Sequence, residues 1–209
     1  MIRFDRAVYP FIAGSLAAAL VAAMLLSAWV SVPFLLLTGF FLFFFRDPDR
    51  QVTATGDVVL SPADGRVLVA GPAVPNAAPP GDWLQISIFL SPMNVHVNRV
   101  PVSGRVTKVS YTPGKFLPAY AHDAASANER SEIWIDHQGR SIVARQIVGA
   151  LARRVVCRLE AGAEVQAGDR YGVMKFGSRM DIFLPTTAEI TVSVGATVRA
   201  VESVIAVLH

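Results

Sequence analysis

The chain has 209 residues, enough for one domain with a sizeable core, and 53% of them are hydrophobic against 17% charged, too apolar a balance for an ordinary soluble domain. A net charge of +3 without any long Lys/Arg run leaves no electrostatic footprint for a nucleic-acid partner. The one cysteine, Cys157, excludes an intrachain disulfide and any Cys/His spacing for zinc, so no metal is expected, and the residue reads as a buried small apolar group.

The apolar excess lies before Arg46. No charged side chain occurs from Ala7 to Phe45, and Phe11 to Val30 alone supply the roughly 20 apolar residues that cross a bilayer as a helix. Ser31-Val32-Pro33 is expected to break that run. The piece from Phe34 to Phe45 is then short for a full span, which leaves a transmembrane helical hairpin and a re-entrant second arm both open. A cleaved signal peptide fits poorly, because the apolar region is too long and no A-x-A-like site follows it. Arg3 and Arg6 precede the segment and Arg46 and Arg50 follow it, so both ends face the cytoplasm if both arms cross. Residues 1–45 are therefore read as a membrane anchor, and 46–209 as a separate domain on the cytoplasmic side of the cell membrane.

Arg46-Asp-Pro-Asp-Arg50 is a charged, proline-bearing exit from the apolar segment. Beyond it come many short β-type runs and few helical periods. Asp57 to Leu60 leads into the turn Ser61-Pro-Ala-Asp-Gly65, and Arg66 to Ala70 resumes a strand. Pro72 to Pro80 is a loop. Trp83 to Leu90 and Gly104 to Tyr111 alternate as half-buried strands do, Phe116 to Arg130 is irregular with one helical turn, and Ser131 to Asp136 pairs with Ser141 to Val148 across Asp136-His-Gln-Gly139. Gly149 to Leu159 reads as a short helix, and Ala188 to Val194 and Val201 to Leu208 as closing strands. The fold class is mainly β: a β-sandwich of the barrel-sandwich kind, with few short helices, behind the apolar hairpin.

Chemistry concentrates in Tyr171-Gly-Val-Met-Lys-Phe-Gly-Ser-Arg-Met-Asp-Ile-Phe-Leu-Pro185. A Gly-Ser pair between strand-like runs is ordinarily a turn or bulge. Ser178 can also act as a nucleophile on the carbonyl of Gly177, turning that amide into an ester, if the peptide is held unrelaxed and a base takes the hydroxyl proton. A second stretch is Ser91-Pro-Met-Asn-Val-His-Val-Asn-Arg-Val-Pro101. A lone histidine among valines is more often a hydrogen-bonded structural residue, but His96 is also suited to proton transfer near neutral pH. Asp64 sits in a turn where Asp-Gly is common.

Together these stretches give a sharper reading. Lys175-Phe-Gly-Ser-Arg-Met-Asp-Ile-Phe-Leu-Pro185 near the C-terminus, Val95-His-Val-Asn-Arg-Val-Pro101 and the exit Arg46-Asp-Pro48 resemble the phosphatidylserine decarboxylase proenzymes, in their short bacterial and archaeal branch. The resemblance covers nearly the whole chain. It implies self-cleavage at Gly177-Ser178 into a β chain, 1–177, and an α chain, 178–209, which remain together as a heterodimer that can oligomerise further. It also implies a covalent pyruvoyl cofactor made from Ser178, which decarboxylates membrane phosphatidylserine to phosphatidylethanolamine through a Schiff base. His96 and Asp64 enter the processing and catalytic constellation on the same ground. Longer members carry a second histidine three residues after the first, assigned as the base for cleavage. This chain has Arg99, whose guanidinium cannot be that base. Either His96 serves both steps or cleavage relies on Asp64 and strain, with Arg99 left to bind substrate phosphate or carboxylate. Arg153 and Arg154 read as phosphate contacts or as a solvated basic face, His137 as a turn residue, and His122 and His209 carry no motif.

Two other classes compete. Val173-Met-Lys-Phe176 mimics the exposed hairpin lysine of a biotinyl- or lipoyl-like carrier, with Lys175 as the modified residue. A membrane-anchored serine hydrolase would use Asp64, His96 and Ser178 as a triad, although no G-x-S-x-G elbow is present.

Overall fold

The computed structural model of the chain describes residues 2–52, 54, 56–75, 77–121, 123–150, 155–175 and 177–209, with the backbone alone at Ile2. His122, Arg153, Arg154 and Phe176 lie outside the described residues. Two compact units follow one another, Met1–Asp49 and Arg50–His209.

The first unit is a helical hairpin closed by a short ribbon. Strand β1 (Ile2–Phe4) leads to Asp5, whose carboxylate accepts from the Ala7 N–H at 2.9 Å and so caps a 3-10 turn, Arg6–Val8. Helix α1 (Tyr9–Leu25) continues that turn, and Pro10 is tolerated in the first turn because the N–H it lacks would have no partner there. The stretch Arg6–Leu25, 20 residues, is long and apolar enough to cross a membrane. Helix α2 (Ala28–Phe44) is shorter, at 17 residues. The chain therefore breaks at Leu26-Ser27 and not at Ser31-Val32-Pro33 as expected. Leu26 (φ −119°, ψ −83°) and Ser27 (φ −164°, ψ 160°) leave helical geometry, whereas Pro33 lies inside α2. Proline forfeits a single backbone bond there, and the Ser31 hydroxyl donates to the Ala28 carbonyl at 2.6 Å in the preceding turn. The arms are joined by Ser15 Oγ and Thr38 Oγ1, 2.7 Å apart, and by Phe11 packed against the rings of Phe41 and Phe45. At the base β1 pairs antiparallel with β2 (Arg46–Pro48), so the charged exit is a strand.

In the second unit the strands are β3 (Val58–Leu60), β4 (Gly65–Pro72), β5 (Leu84–Leu90), β6 (Val97–Arg99), β7 (Gly104–Thr112), β8 (Arg130–His137) and β9 (Arg140–Ile147). They continue with β10 (Val155–Cys157), β11 (Glu164–Val165), β12 (Arg170–Met174), β13 (Ser178–Leu184), β14 (Glu189–Ile190), β15 (Thr197–Val198) and β16 (Val204–Val207), and one helical turn, α3 (Ala124–Ala127), precedes β8. Among the described residues a large antiparallel sheet runs β11-β7-β8-β9-β13-β5-β4-β15, and two smaller sheets run β10-β12-β6 and β14-β16-β3. The β8–β9 hairpin turns on Gln138 (φ 54°) and Gly139 (φ 83°), both left-handed, as a two-residue primed turn requires. The fold is the mainly-β sandwich that the alternation predicts. The helix expected over 149–159 is not borne out where the chain is described: Val155–Cys157 is a strand paired with β12, as its two β-branched valines favour. Cys157 is half-buried at the margin of the core, not enclosed.

One face of the large sheet carries the core. Ile86, Ile88 and Leu90 of β5, Met180, Ile182 and Leu184 of β13, and Ile133 and Ile135 of β8 meet Val59, Tyr171, Met174 and Ile205 from the small sheets. The opposite face is polar yet buried. Arg179 Nε donates to Asp181 Oδ1 at 2.6 Å and its Nη2 to Ser87 Oγ at 2.8 Å, while Gln85 Nε2 bridges Asp181 and Ser87. Alongside, Arg145 pairs with Glu132, stacks on the Phe183 ring and donates to the Ala77 carbonyl, which covers the cluster from the 72–80 loop. Burial pulls the Arg145 guanidinium below its ordinary value, opposed by Glu132.

A buried pair that loses one partner leaves an uncompensated charge. In an uncleaved Ser178→Ala chain in detergent, Asp181→Asn is expected to lower the unfolding free energy by about 3 kcal/mol in urea titrations. A loss below about 0.5 kcal/mol, the ordinary range of surface substitutions, would show that Arg179 does not depend on that carboxylate.

Candidate active site

The linker between β12 and β13 carries the Gly-Ser pair. Gly177 adopts φ +68°, a left-handed conformation that costs other residues about 1–2 kcal/mol and glycine nothing comparable. It turns the chain into β13, whose first residue, Ser178, pairs with Leu90 at the end of β5. At the far end of the linker the Met174 N–H donates to the His96 carbonyl at 3.2 Å. Residues 90–96 and 174–178 are thus two sides of one backbone loop, closed by Leu90 with Ser178 and by His96 with Met174. Strand alternation turns Ser178 to the same face as Met180 and Ile182, toward the core, and it is 0% exposed. Among the described residues its hydroxyl has no hydrogen-bond partner. A buried hydroxyl in that state costs about 1–3 kcal/mol and calls for an explanation.

His96 is fully buried, with Nδ1 2.9 Å from the Asn94 carbonyl. A carbonyl only accepts, so the network assigns the proton to Nδ1. Nε2 of the neutral ring then holds the lone pair, the form a base requires. Asn94 is itself fixed by the backbone N–H and hydroxyl of Ser91, at 2.9 and 2.8 Å. Tyr171 is no competitor for that proton, since burial, and then the neighbouring Cys157, hold its phenol well above the ordinary value.

The remaining candidates have other neighbours. Asp64 accepts from Arg50 Nη2 with one oxygen and from the Ala200 N–H with the other, each at 2.8 Å, so it ties the Ala200 turn to Arg50. Arg99 is buried, and its Nη1 donates to the Gly168 carbonyl at 3.3 Å. Lys175 follows β12, but β12 pairs with β10 and β6 while β13 pairs with β9 and β5. The lysine therefore sits on a crossover between sheets, where a carrier lysine needs a hairpin tip. A hydrolase triad also fits poorly, because Ser178 opens a buried strand and not a strand-to-helix elbow. No group of three or more metal-ligating side chains converges among the described residues. His137 closes its hairpin with Nδ1 on the Ser103 carbonyl at 2.6 Å.

Two residues from stretches that also resemble the family, Asn128-Glu-Arg130 and Gln146 to Arg154, take a defined role only in three dimensions. Asn128, fully buried, accepts from the Leu117 N–H at 2.9 Å and donates to the carbonyls of Leu117 and Val148, each at 2.8 Å. Gly149, next to that clamp, lies against the Gly177 carbonyl. An apolar hollow of about 240 Å³ opens at the same point, lined by Phe89, Pro92, Pro118, Ala119, Tyr120, Ala150 and Gly177. Its only sequence signal is the apolar and aromatic bias of short loops far apart in the chain.

Comparison with known proteins identifies the family. A family model described as phosphatidylserine decarboxylase matches residues 37–206. A phosphatidylserine decarboxylase proenzyme of Prosthecochloris aestuarii is 44% identical over 193 residues, 90% of this chain and 88% of that protein. Proenzymes so named from Pelodictyon phaeoclathratiforme and Nitrosomonas europaea are 42% and 40% identical, over 88% and 96% of this chain and 89% and 93% of their own lengths.

The clamp gives a direct test. Asn128→Leu keeps the volume but strands an N–H and two carbonyls. In the same uncleaved background it is expected to cost about 2–4 kcal/mol by urea denaturation. A cost below about 0.5 kcal/mol would remove Asn128 as the support of the 148–149 backbone.

Proposed function

Because the chain belongs to the phosphatidylserine decarboxylase family, we propose that it converts phosphatidylserine to phosphatidylethanolamine and carbon dioxide with a pyruvoyl group made from its own Ser178. The observation that carries this reading is the Ser178 hydroxyl, buried and without a hydrogen-bond partner among the described residues, beside a left-handed glycine at the head of a central strand.

The first step is an acyl shift. Ser178 Oγ bonds to the Gly177 carbonyl carbon, the bond from that carbon to the Ser178 nitrogen breaks, and the hydroxyl proton passes to the released amine by way of His96 Nε2. Asp64, bound to Arg50 and to the Ala200 N–H, positions its own loop and the Ala200 turn. In the second step Ser178 loses its Cα proton and the Cβ–O bond breaks, with Gly177 leaving as a carboxylate. Water then replaces the nitrogen, which departs as ammonia. Atoms and electrons balance with water alone consumed. The site fits the group: it is smaller than the serine it replaces, and the departing oxygen leaves no hydrogen bond behind.

A ketone there supplies an electrophile for the substrate amine and a sink for the electron pair left by carbon dioxide. The chain's own residues do the rest. His96 returns a proton to the substrate α-carbon, and the apolar hollow beside Gly177 takes the acyl-glycerol side of the lipid. Cleavage does not release the shorter piece, because β13 is bonded on both sides, β15 to β4 and β16 to β3. The apolar hairpin holds the enzyme in the membrane, and the cationic residues at both of its ends favour the cytoplasmic face.

Ser178→Ala is expected to remain one chain without decarboxylase activity, and Ser178→Cys to cleave slowly through a thioester, both read on denaturing gels and by carbon dioxide release. His96→Ala is expected to lose at least about 100-fold in decarboxylation, the lower end of what a positioned acid–base group contributes. A cleaved and fully active His96→Ala enzyme would remove histidine from both roles.

A further inference from the structure

The Gly177 carbonyl is not left to find its own orientation. A Cβ built on Gly149 would lie 1.9 Å from the Gly177 oxygen and 3.0 Å from its carbon, distances no side chain can occupy. Gly149 does not have the positive φ that would by itself call for glycine, unlike Gly177, so close approach accounts for the missing side chain. The hydrogen standing where Cβ would be points at the carbonyl oxygen, the geometry of a Cα–H···O contact. This wall cannot retreat. Val148, the preceding residue, donates its N–H to the Glu129 carbonyl at 3.1 Å, and its own carbonyl is held by Asn128 at 2.8 Å. The Ala119 methyl, 3.3 Å from the same built Cβ, closes the far side.

We propose that Gly149 is a positioning residue for self-cleavage: its bare Cα seats the Gly177 carbonyl oxygen so that the carbonyl carbon presents a face to Ser178 Oγ. The inference rests on the processing reading above and adds a residue to it. The acyl shift closes a five-membered ring through the Ser178 oxygen, Cβ, Cα and nitrogen and the Gly177 carbon. Ring closure requires the carbonyl plane to turn away from the ordinary strand orientation, and the oxygen to have a place to go as the carbon becomes tetrahedral. A methyl at 149 pushes the oxygen off that seat and turns the carbon away from its nucleophile. Misplacements of this size, near 1 Å, cost on the order of 100-fold in rate. The role ends with the cut, when Gly177 becomes a chain terminus.

The test follows cleavage of newly synthesised full-length chain inserted in phospholipid vesicles, for wild type and Gly149→Ala. Gly149→Ala is expected to cleave about 100-fold more slowly, while Ser178→Ala/Gly149→Ala melts within a few degrees of Ser178→Ala. Hydroxylamine added to folded Gly149→Ala chain is expected to leave it intact, because no ester forms. A Gly177 hydroxamate in its mass spectrum would place the block after the shift and overturn the proposal. So would cleavage at the wild-type rate, or loss of fold in the double variant, which would leave Gly149 a packing role alone. Failure of wild type itself to cleave would instead overturn the processing reading, and this inference with it.

Discussion

Strands β12 and β13, on either side of the Gly177–Ser178 bond, are each held by hydrogen bonds to neighbouring strands, and most of the second unit contributes to that constraint. After the bond, β13 hydrogen-bonds to β5 and β9 within the large sheet and is buried along its whole length. Before it, β12 belongs to a different sheet and is tied to β6 and, through Met174, to His96. The linker must pass from one layer of the sandwich to the other within a few residues. Gly177 makes that passage in a conformation only glycine adopts freely. The bond proposed to break is therefore where the chain changes layers, and the sheets around it would survive the cut.

The two faces of β13 divide the work. Its apolar face, with Ser178 at the head, joins the core, so the Ser178 hydroxyl is desolvated by the packing that stabilises the sandwich. Its polar face carries Arg179 and Asp181, which lock to Gln85 and Ser87 under the 72–80 loop. Charges buried in this way contribute less to net stability than to uniqueness of register. A one-residue slip of β13 would carry Arg179 into the core and Ser178 out of it. We hold that the network fixes where Ser178 stands.

Much of the architecture was legible in the sequence. An uncharged run from Ala7 to Phe45 meant apolar helices, and alternation over 83–90 and 104–111 with a hairpin of 131–136 and 141–148 meant strands paired into a sandwich. Misreadings arose where local signals were weak. Pro33 looked like a breaker, yet a proline in the second turn of an apolar helix removes one bond, and the turn formed upstream at Leu26-Ser27. Gly149 to Leu159 reads as a short helix in sequence, whereas pairing with β12 decides Val155–Cys157. Ser178 and His96 could be singled out only because their motifs resemble those of a known family, since a lone serine or histidine on a strand carries no such weight. Contacts between distant residues stayed hidden. Nothing in the order of residues pairs Asp64 with Arg50, covers Arg145 with Ala77, or presses Gly149 against Gly177.

The central claim is that the chain breaks its own backbone before Ser178 and keeps a carbonyl there. Intact mass spectrometry of the purified, untreated protein tests it most directly. The account predicts two polypeptides, one ending at Gly177 and one comprising 178–209 that is lighter by one ammonia than its sequence and closed to N-terminal degradation. A single continuous chain of unmodified mass in active enzyme would contradict it.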